Sequence, residues 1–152
     1  MARTVEACLE RYYLPYAVIS HSRSITARET ARAAAVTPNQ IAKAVMLADE
    51  DGFVMAVVPG DRHADVERIS QMLERPLDLV NETRFARVFE DCEPGAIPPI
   101  GPAYGIETIV DDRLLNQEEI YFVAGDHDEL VCVDRDAFVL LLKDAEHGRI
   151  ST

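Results

Sequence analysis

Two apolar runs, Ile41–Ala48 and Phe53–Pro59, stand on either side of Asp49-Glu50-Asp51-Gly52, and no other stretch constrains the fold as tightly. Asp-Gly between apolar segments is a strong short-range signal for a β-hairpin, because glycine takes up the positive φ that the tight turn demands. The first run is apolar on both faces and reads as a buried strand. Lys43 is its one charge.

The flanking sequence supplies further elements. Val5, Cys8, Leu9 and Tyr12 recur at helical spacing over Thr4–Tyr13, and Pro15 stops that helix. Tyr16–Ser20 predicts a short strand. Thr26 followed by Glu29 has the form of a capping box and opens an alanine-rich helix to Ala35. Beyond the hairpin, Val66, Ile69, Met72 and Leu73 share one face of a helix over Ala64–Leu73, Leu77–Val80 reads as a strand, and Asn81 caps a helix to Phe89. Glu93–Gly105 carries three glycines and four prolines in thirteen positions, which predicts a loop without regular structure. Strands are expected at Thr108–Val110, Ile120–Ala124 and Leu130–Val133, the last two joined by the turn Gly125–Asp128, and a helix over Asp136–Leu142 closes the chain. Helices and strands interleave around two hairpins, so the expected class is α+β with a mixed, largely antiparallel sheet. Length and a hydrophobic content of 48% match one domain spanning residues 1–152, with no repeat or linker.

Composition narrows the function classes. With 27 acidic against 15 basic residues the net charge is −12, which argues against broad contact with nucleic-acid phosphates and against DNA binding. Arg84 with Arg87, or Arg62 with Arg68, could touch a few phosphates or simply solvate a helix face. No apolar run approaches the roughly 20 residues of a membrane span, and the first ten residues lack a secretory apolar stretch, so a cytoplasmic location is expected. Cys8, Cys92 and Cys132 are widely spaced and form no CxxC pair, as reduced thiols would be.

Three features can carry chemistry. Alternation along the first hairpin strand puts Ile41, Lys43, Val45 and Leu47 on one face; a buried lysine needs an anionic or polar partner, which a substrate can supply, although a lysine near a strand end can instead reach solvent. The loop Glu93–Gly101 joins glycines that let backbone approach a ligand to prolines that hold one shape, and it can present N–H groups to a carbonyl or phosphate, or merely connect. His127 lies in the predicted turn, where a histidine can fill a turn position; Asp126, Asp128 and Glu129 beside it are consecutive with it, a poor arrangement for one ion, and no metal or cofactor is expected. His21, His63 and His147 read as surface residues. There is no G-x-S-x-G elbow, no cysteine in a nucleophile signature and no phosphate-binding glycine loop. Hydrolysis, if this chain performs it, relies on activated water or on the substrate.

Taken together, Ala27–Ala35, Gln40-Ile41-Ala42-Lys43, Val57-Val58-Pro59-Gly60-Asp61, Cys92-Glu93-Pro94-Gly95-Ala96-Ile97-Pro98-Pro99, Val110-Asp111-Asp112 and Ile120-Tyr121-Phe122-Val123-Ala124-Gly125 resemble, in order and spacing, the YbaK/prolyl-tRNA-synthetase editing-domain family. The resemblance runs from about Pro15 to Leu142. It implies a curved, partly barrel-like mixed sheet with surrounding helices, and hydrolysis of the ester between a small non-cognate amino acid and tRNA, with tRNA-Pro as the expected carrier. By the resemblance Lys43 matches the site lysine, Gly95–Pro99 the GxxxP loop, and Gly125-Asp126-His127 the GxH motif. Lys43 would hold the acceptor-end phosphate or ribose, the Gly95 backbone would position the carbonyl, and His127 would shape the amino-acid pocket. A side chain at Gly95 is expected to intrude on the ester. Ile41, Ala44, Ala96, Ile97, Pro98, Pro99, Gly101, Gly125 and Asp126 would complete the substrate contacts. The substrate's own 2′-hydroxyl, or its thiol when the amino acid is cysteine, would assist. Some alanine-specific relatives carry a polar residue directly after the lysine, where this chain has Ala44. Implied partners are the acceptor end of mischarged tRNA and an aminoacyl-tRNA synthetase. The rival reading is a binding module that keeps the pocket without turnover.

Overall fold

The computed structural model describes all of residues 1–152. In chain order its elements are α1 (Arg3–Arg11), β1 (Ala17–Ser20), α2 (Ala27–Ala34), β2 (Ala42–Asp49), β3 (Gly52–Pro59), α3 (Val66–Leu73), β4 (Asp78–Leu79), α4 (Glu82–Phe85), β5 (Glu107–Asp111), β6 (Glu119–Val123), β7 (Glu129–Asp134), α5 (Arg135–Leu141) and β8 (Glu146–Gly148). Five strands form one sheet in the order β4-β2-β3-β5-β8, and three form another in the order β1-β7-β6. Pairing is antiparallel except between β3 and β5 and between β5 and β8.

The predicted hairpin forms with Ala42 opposite Pro59 and Asp49 opposite Gly52. Its turn is fixed twice: the Asp51 N–H donates to Asp49 Oδ1 at 2.9 Å, and the Arg75 guanidinium grips the same carboxylate from Nε at 2.7 Å and Nη2 at 2.6 Å. That charge-assisted fork, above all, holds the Asp49 carboxyl down at about 2. Alternation then sorts the side chains. Ala42 and Met46 of β2 and Met55 and Val57 of β3 meet Ile120, Phe122, Val131 and Val133 of the smaller sheet, with α1 and α5 closing the ends of this main core. Leu47, Val54, Ala56 and Val58 face the other way, onto Ile69 of α3 and Ile150. A third cluster, Ala31, Ile41, Tyr121 and Leu130, seats α2 on the small sheet. An isolated bridge from Ile41 to Tyr121 ties the two sheets together just before Lys43.

Four expectations need correction. The helix expected over Asn81–Phe89 is α-helical only to Phe85 and tightens to 3₁₀ over Ala86–Phe89, because two turns of apolar spacing do not separate periods of 3.6 and 3.0. The proline-rich stretch holds a 3₁₀ turn at Gly101–Tyr104, with Pro102 in its first turn, where a missing N–H costs nothing. The chain does not close on a helix: β8 follows α5 and pairs parallel with β5. His21 is partly buried, its Nδ1 donating to the Ser22 carbonyl at 2.7 Å and its Nε2 sealed from solvent.

Candidate active site

Lys43 stands at the start of β2, beside the bridge between the sheets, and lines a cavity of about 290 Å³ together with Ile41, Ala44, Gly95 and Ile97. The far wall brings Ile25, Thr30, Glu82, Phe85 and Val123. The lysine makes no ion pair with any residue of the chain. Its pKa is lowered, first by burial and then by the nearby Arg28 guanidinium, with Asp61 opposing. An ammonium on the wall with no carboxylate paired to it makes this end of the cavity a place for an anion.

The loop carrying Gly95 is held from below by the turn after β6. Glu93 N–H donates to the Gly125 carbonyl at 2.8 Å, the His127 backbone N–H donates to Glu93 Oε2 at 3.2 Å, and His127 Nε2–H donates to the Pro94 carbonyl at 2.6 Å. His127 is 3% exposed. Its ring therefore lies under the loop, not on the cavity wall, and it reaches the cavity through the backbone at Gly95. Gly95 adopts φ +79°, and a Cβ there would sit 3.3 Å from His127 Cε1. Glycine is required by the turn and by packing on the histidine. The first group that a side chain there would meet is the His127 ring.

The remaining expected contacts are dispersed. Ala96, Pro98 and Pro99 are buried beneath the loop and stiffen it. Gly101 packs against Thr108, and Gly125, at φ +105°, lies where a Cβ would come within 2.7 Å of the Ala2 Cβ. Asp126 Oδ1 accepts the backbone N–H groups of Asp128 and Glu129, while Oδ2 meets the amino group of Met1 at 3.2 Å. Asp126, Asp128 and Glu129 have carboxylate oxygens within 4.8 Å of one another. His127 is turned away from them, its ring committed to Pro94. None of the three acids lines the Lys43 cavity.

The cysteines are poor nucleophile candidates. Burial raises all three thiols, Cys92 to about 11, and none lines the cavity. Sequence reasoning missed Glu82. Its Oε1 accepts the Gly95 N–H at 2.6 Å, so the one backbone donor expected to meet a substrate carbonyl is covered in the free protein. Nothing in the local pattern marks it, since a glutamate in the first turn of a helix is ordinary. Larger hollows of about 600 and 570 Å³ lie against α1 and α5, and neither contains Lys43 or Gly95.

Known structures share this architecture. The hypothetical protein APE2540 superposes with a TM-score of 0.86 at 21% identity, covering 99% of this chain and 100% of that one. A candidate trans-editing enzyme for prolyl tRNA synthetase superposes at 0.81 with 22% identity, covering 99% and 96%. A candidate signal transduction protein from Marinobacter aquaeolei VT8 superposes at 0.80 with 19% identity, covering all of this chain but 31% of that one. At these identities the likeness is one of fold. No curated protein matches the sequence. The sequence itself matches the aminoacyl-tRNA editing domain over residues 21–140, a span that includes Lys43, Glu82, Gly95 and His127, and the chain belongs to that family.

Proposed function

We propose that this chain, as one editing domain over residues 1–152, is a trans-acting deacylase that cleaves the ester of a small non-cognate amino acid on tRNA, with tRNA-Pro as the carrier. One observation carries the reading: Lys43 and the Gly95 backbone converge on a single cavity whose wall holds no cysteine or serine. Water adds to the carbonyl carbon, the bond from that carbon to the ribose oxygen breaks, the ribose oxygen regains a proton and the free amino acid departs. Lys43, with Arg28 behind it, suits a terminal phosphate or ribose. The Gly95 N–H suits the carbonyl oxygen as charge builds on it. With no thiolate or serine at hand, the terminal ribose hydroxyl is the group best placed to assist the water.

The size of the site supports a small amino acid. At about 290 Å³ it lies at the lower end of ligand cavities, and its far wall is apolar apart from Thr30 and Glu82. The partners implied are the acceptor end and, through it, a synthetase that releases mischarged tRNA. The test is a deacylation panel with Ala-, Cys-, Ser-, Thr- and Pro-tRNA. Faster turnover of Ala- or Ser-tRNA than of Pro-tRNA supports the reading; binding without turnover on every member replaces it with the non-catalytic module, a rival favoured by the covered Gly95 N–H.

A further inference from the structure

Lys43 and Glu82 line the same small cavity, carry opposite charges, and do not pair with each other or with any other ion. Charges left apart in a shared, partly apolar space suit a ligand that is itself dipolar, with its negative group toward the lysine and its positive group toward the glutamate. Glu82 is the only carboxylate on the wall. Its oxygen is already 2.6 Å from the Gly95 nitrogen. An aminoacyl ester has the same arrangement: the α-ammonium is one carbon removed from the carbonyl, and the phosphate lies beyond the ribose on the other side.

We propose that Glu82 is the ammonium subsite of this cavity, selecting esters and amides whose α-amino group is free and charged. The inference rests on the proposed aminoacyl substrate and adds the group that reads its amine. In the free protein Glu82 covers the Gly95 N–H. When an aminoacyl group enters, its carbonyl takes that N–H and the carboxylate turns to the ammonium beside it. The loop donor is thus released by the feature that distinguishes an aminoacyl group from a plain acyl group, so that acyl chains without an amine leave the donor covered.

The experiment uses two non-hydrolysable compounds, adenosine 5′-monophosphate carrying a 3′-amino group acylated with either L-alanine or propionic acid. Propionyl lacks the ammonium and adds no bulk. Calorimetric titration of the wild-type protein should give at least tenfold tighter binding of the alanyl compound, equal to about 1.4 kcal/mol. Glu82→Gln, whose amide oxygen can still accept the Gly95 N–H, should bind the two equally. Equal binding by the wild type, binding of neither, or a preference that survives Glu82→Gln overturns the subsite and leaves Glu82 as a cap on the loop. The deacylation panel fails separately: an amine preference without turnover removes the deacylase and keeps the subsite, whereas turnover without the preference does the reverse.

Discussion

Asp111 and Lys43 are both charges set into the large sheet, yet the chain treats them in opposite ways. Asp111 is fully buried, and the chain meets both its oxygens: Arg113 N–H at 2.8 Å, Ile150 N–H at 3.2 Å, the Ser151 hydroxyl at 2.5 Å, and the Arg113 guanidinium at 3.3 Å. Lys43 has no such partner and opens on a cavity. A buried charge that the protein satisfies for itself is a clasp, here holding the segment after β8 to the end of β5. One left without its counter-charge is an invitation to a ligand.

The comparison predicts contrasting mutants. Asp111→Ala strands two backbone donors and a guanidinium, and should cost about 3–5 kcal/mol in urea unfolding. Lys43→Ala should leave the unfolding midpoint unchanged or raise it, because a desolvated charge is removed. If Lys43→Ala destabilises as Asp111→Ala does, the lysine is a structural group and the contrast collapses.

Activity sharpens the same contrast. Gly95→Ala meets both the left-handed backbone, at about 1–2 kcal/mol, and the His127 ring, and should abolish turnover by shifting the loop. Pairing it with His127→Ala relieves the contact, so the double mutant should be more stable than the two single effects added together. Lys43→Ala comes next, with deacylation reduced at least tenfold, about 1.4 kcal/mol of transition-state stabilisation. A folded Lys43→Ala protein with full activity would rule out its role at the acceptor end.

The smallest effect concerns Asp49, whose carboxylate the Arg75 guanidinium clasps at the hairpin turn. Its carboxyl titrates near 2 in the folded chain against 3.8 ordinarily, so the contribution is complete above the ordinary value and is lost as pH falls toward 2. Wild-type stability should therefore decline between about pH 5 and about pH 2 more steeply than that of Asp49→Asn. Parallel declines would show that the Arg75 fork contributes nothing to acid resistance.

Much of this was legible in the residues. Asp-Gly between apolar runs marks the hairpin, and alternation separates Val45 and Leu47 from Ala44 and Met46, as the two core clusters show. The glycines and prolines after Glu93 marked a loop of defined shape. What stayed hidden depends on contacts between distant segments. β8 is polar and three residues long, and it becomes a strand through distant contacts, among them those of Asp111 with Ile150 and of Asp112 with His147 and Gly148. Glu82 reaches Gly95 across thirteen positions by the folding of α4, which no period records. His127 gave a motif but not a direction, since a turn residue can point outward or beneath its neighbour.

The mixed strand pairing also sets an order of assembly. β2 and β3 meet across a two-residue turn and can close in about 1–10 μs, while β3 and β5 pair residues more than fifty positions apart and must wait for a costlier loop closure. Lys43 rides on the β2–β3 hairpin and Gly95 on a loop anchored to the β6–β7 hairpin, both of which close locally. The cavity between them waits for the two hairpins to dock across the Ile41–Tyr121 bridge, and a half-assembled chain offers the lysine without its pocket. In stopped-flow kinetics Ala56→Gly, in the hairpin, should chiefly slow folding, whereas Ile109→Val, in β5, should chiefly speed unfolding.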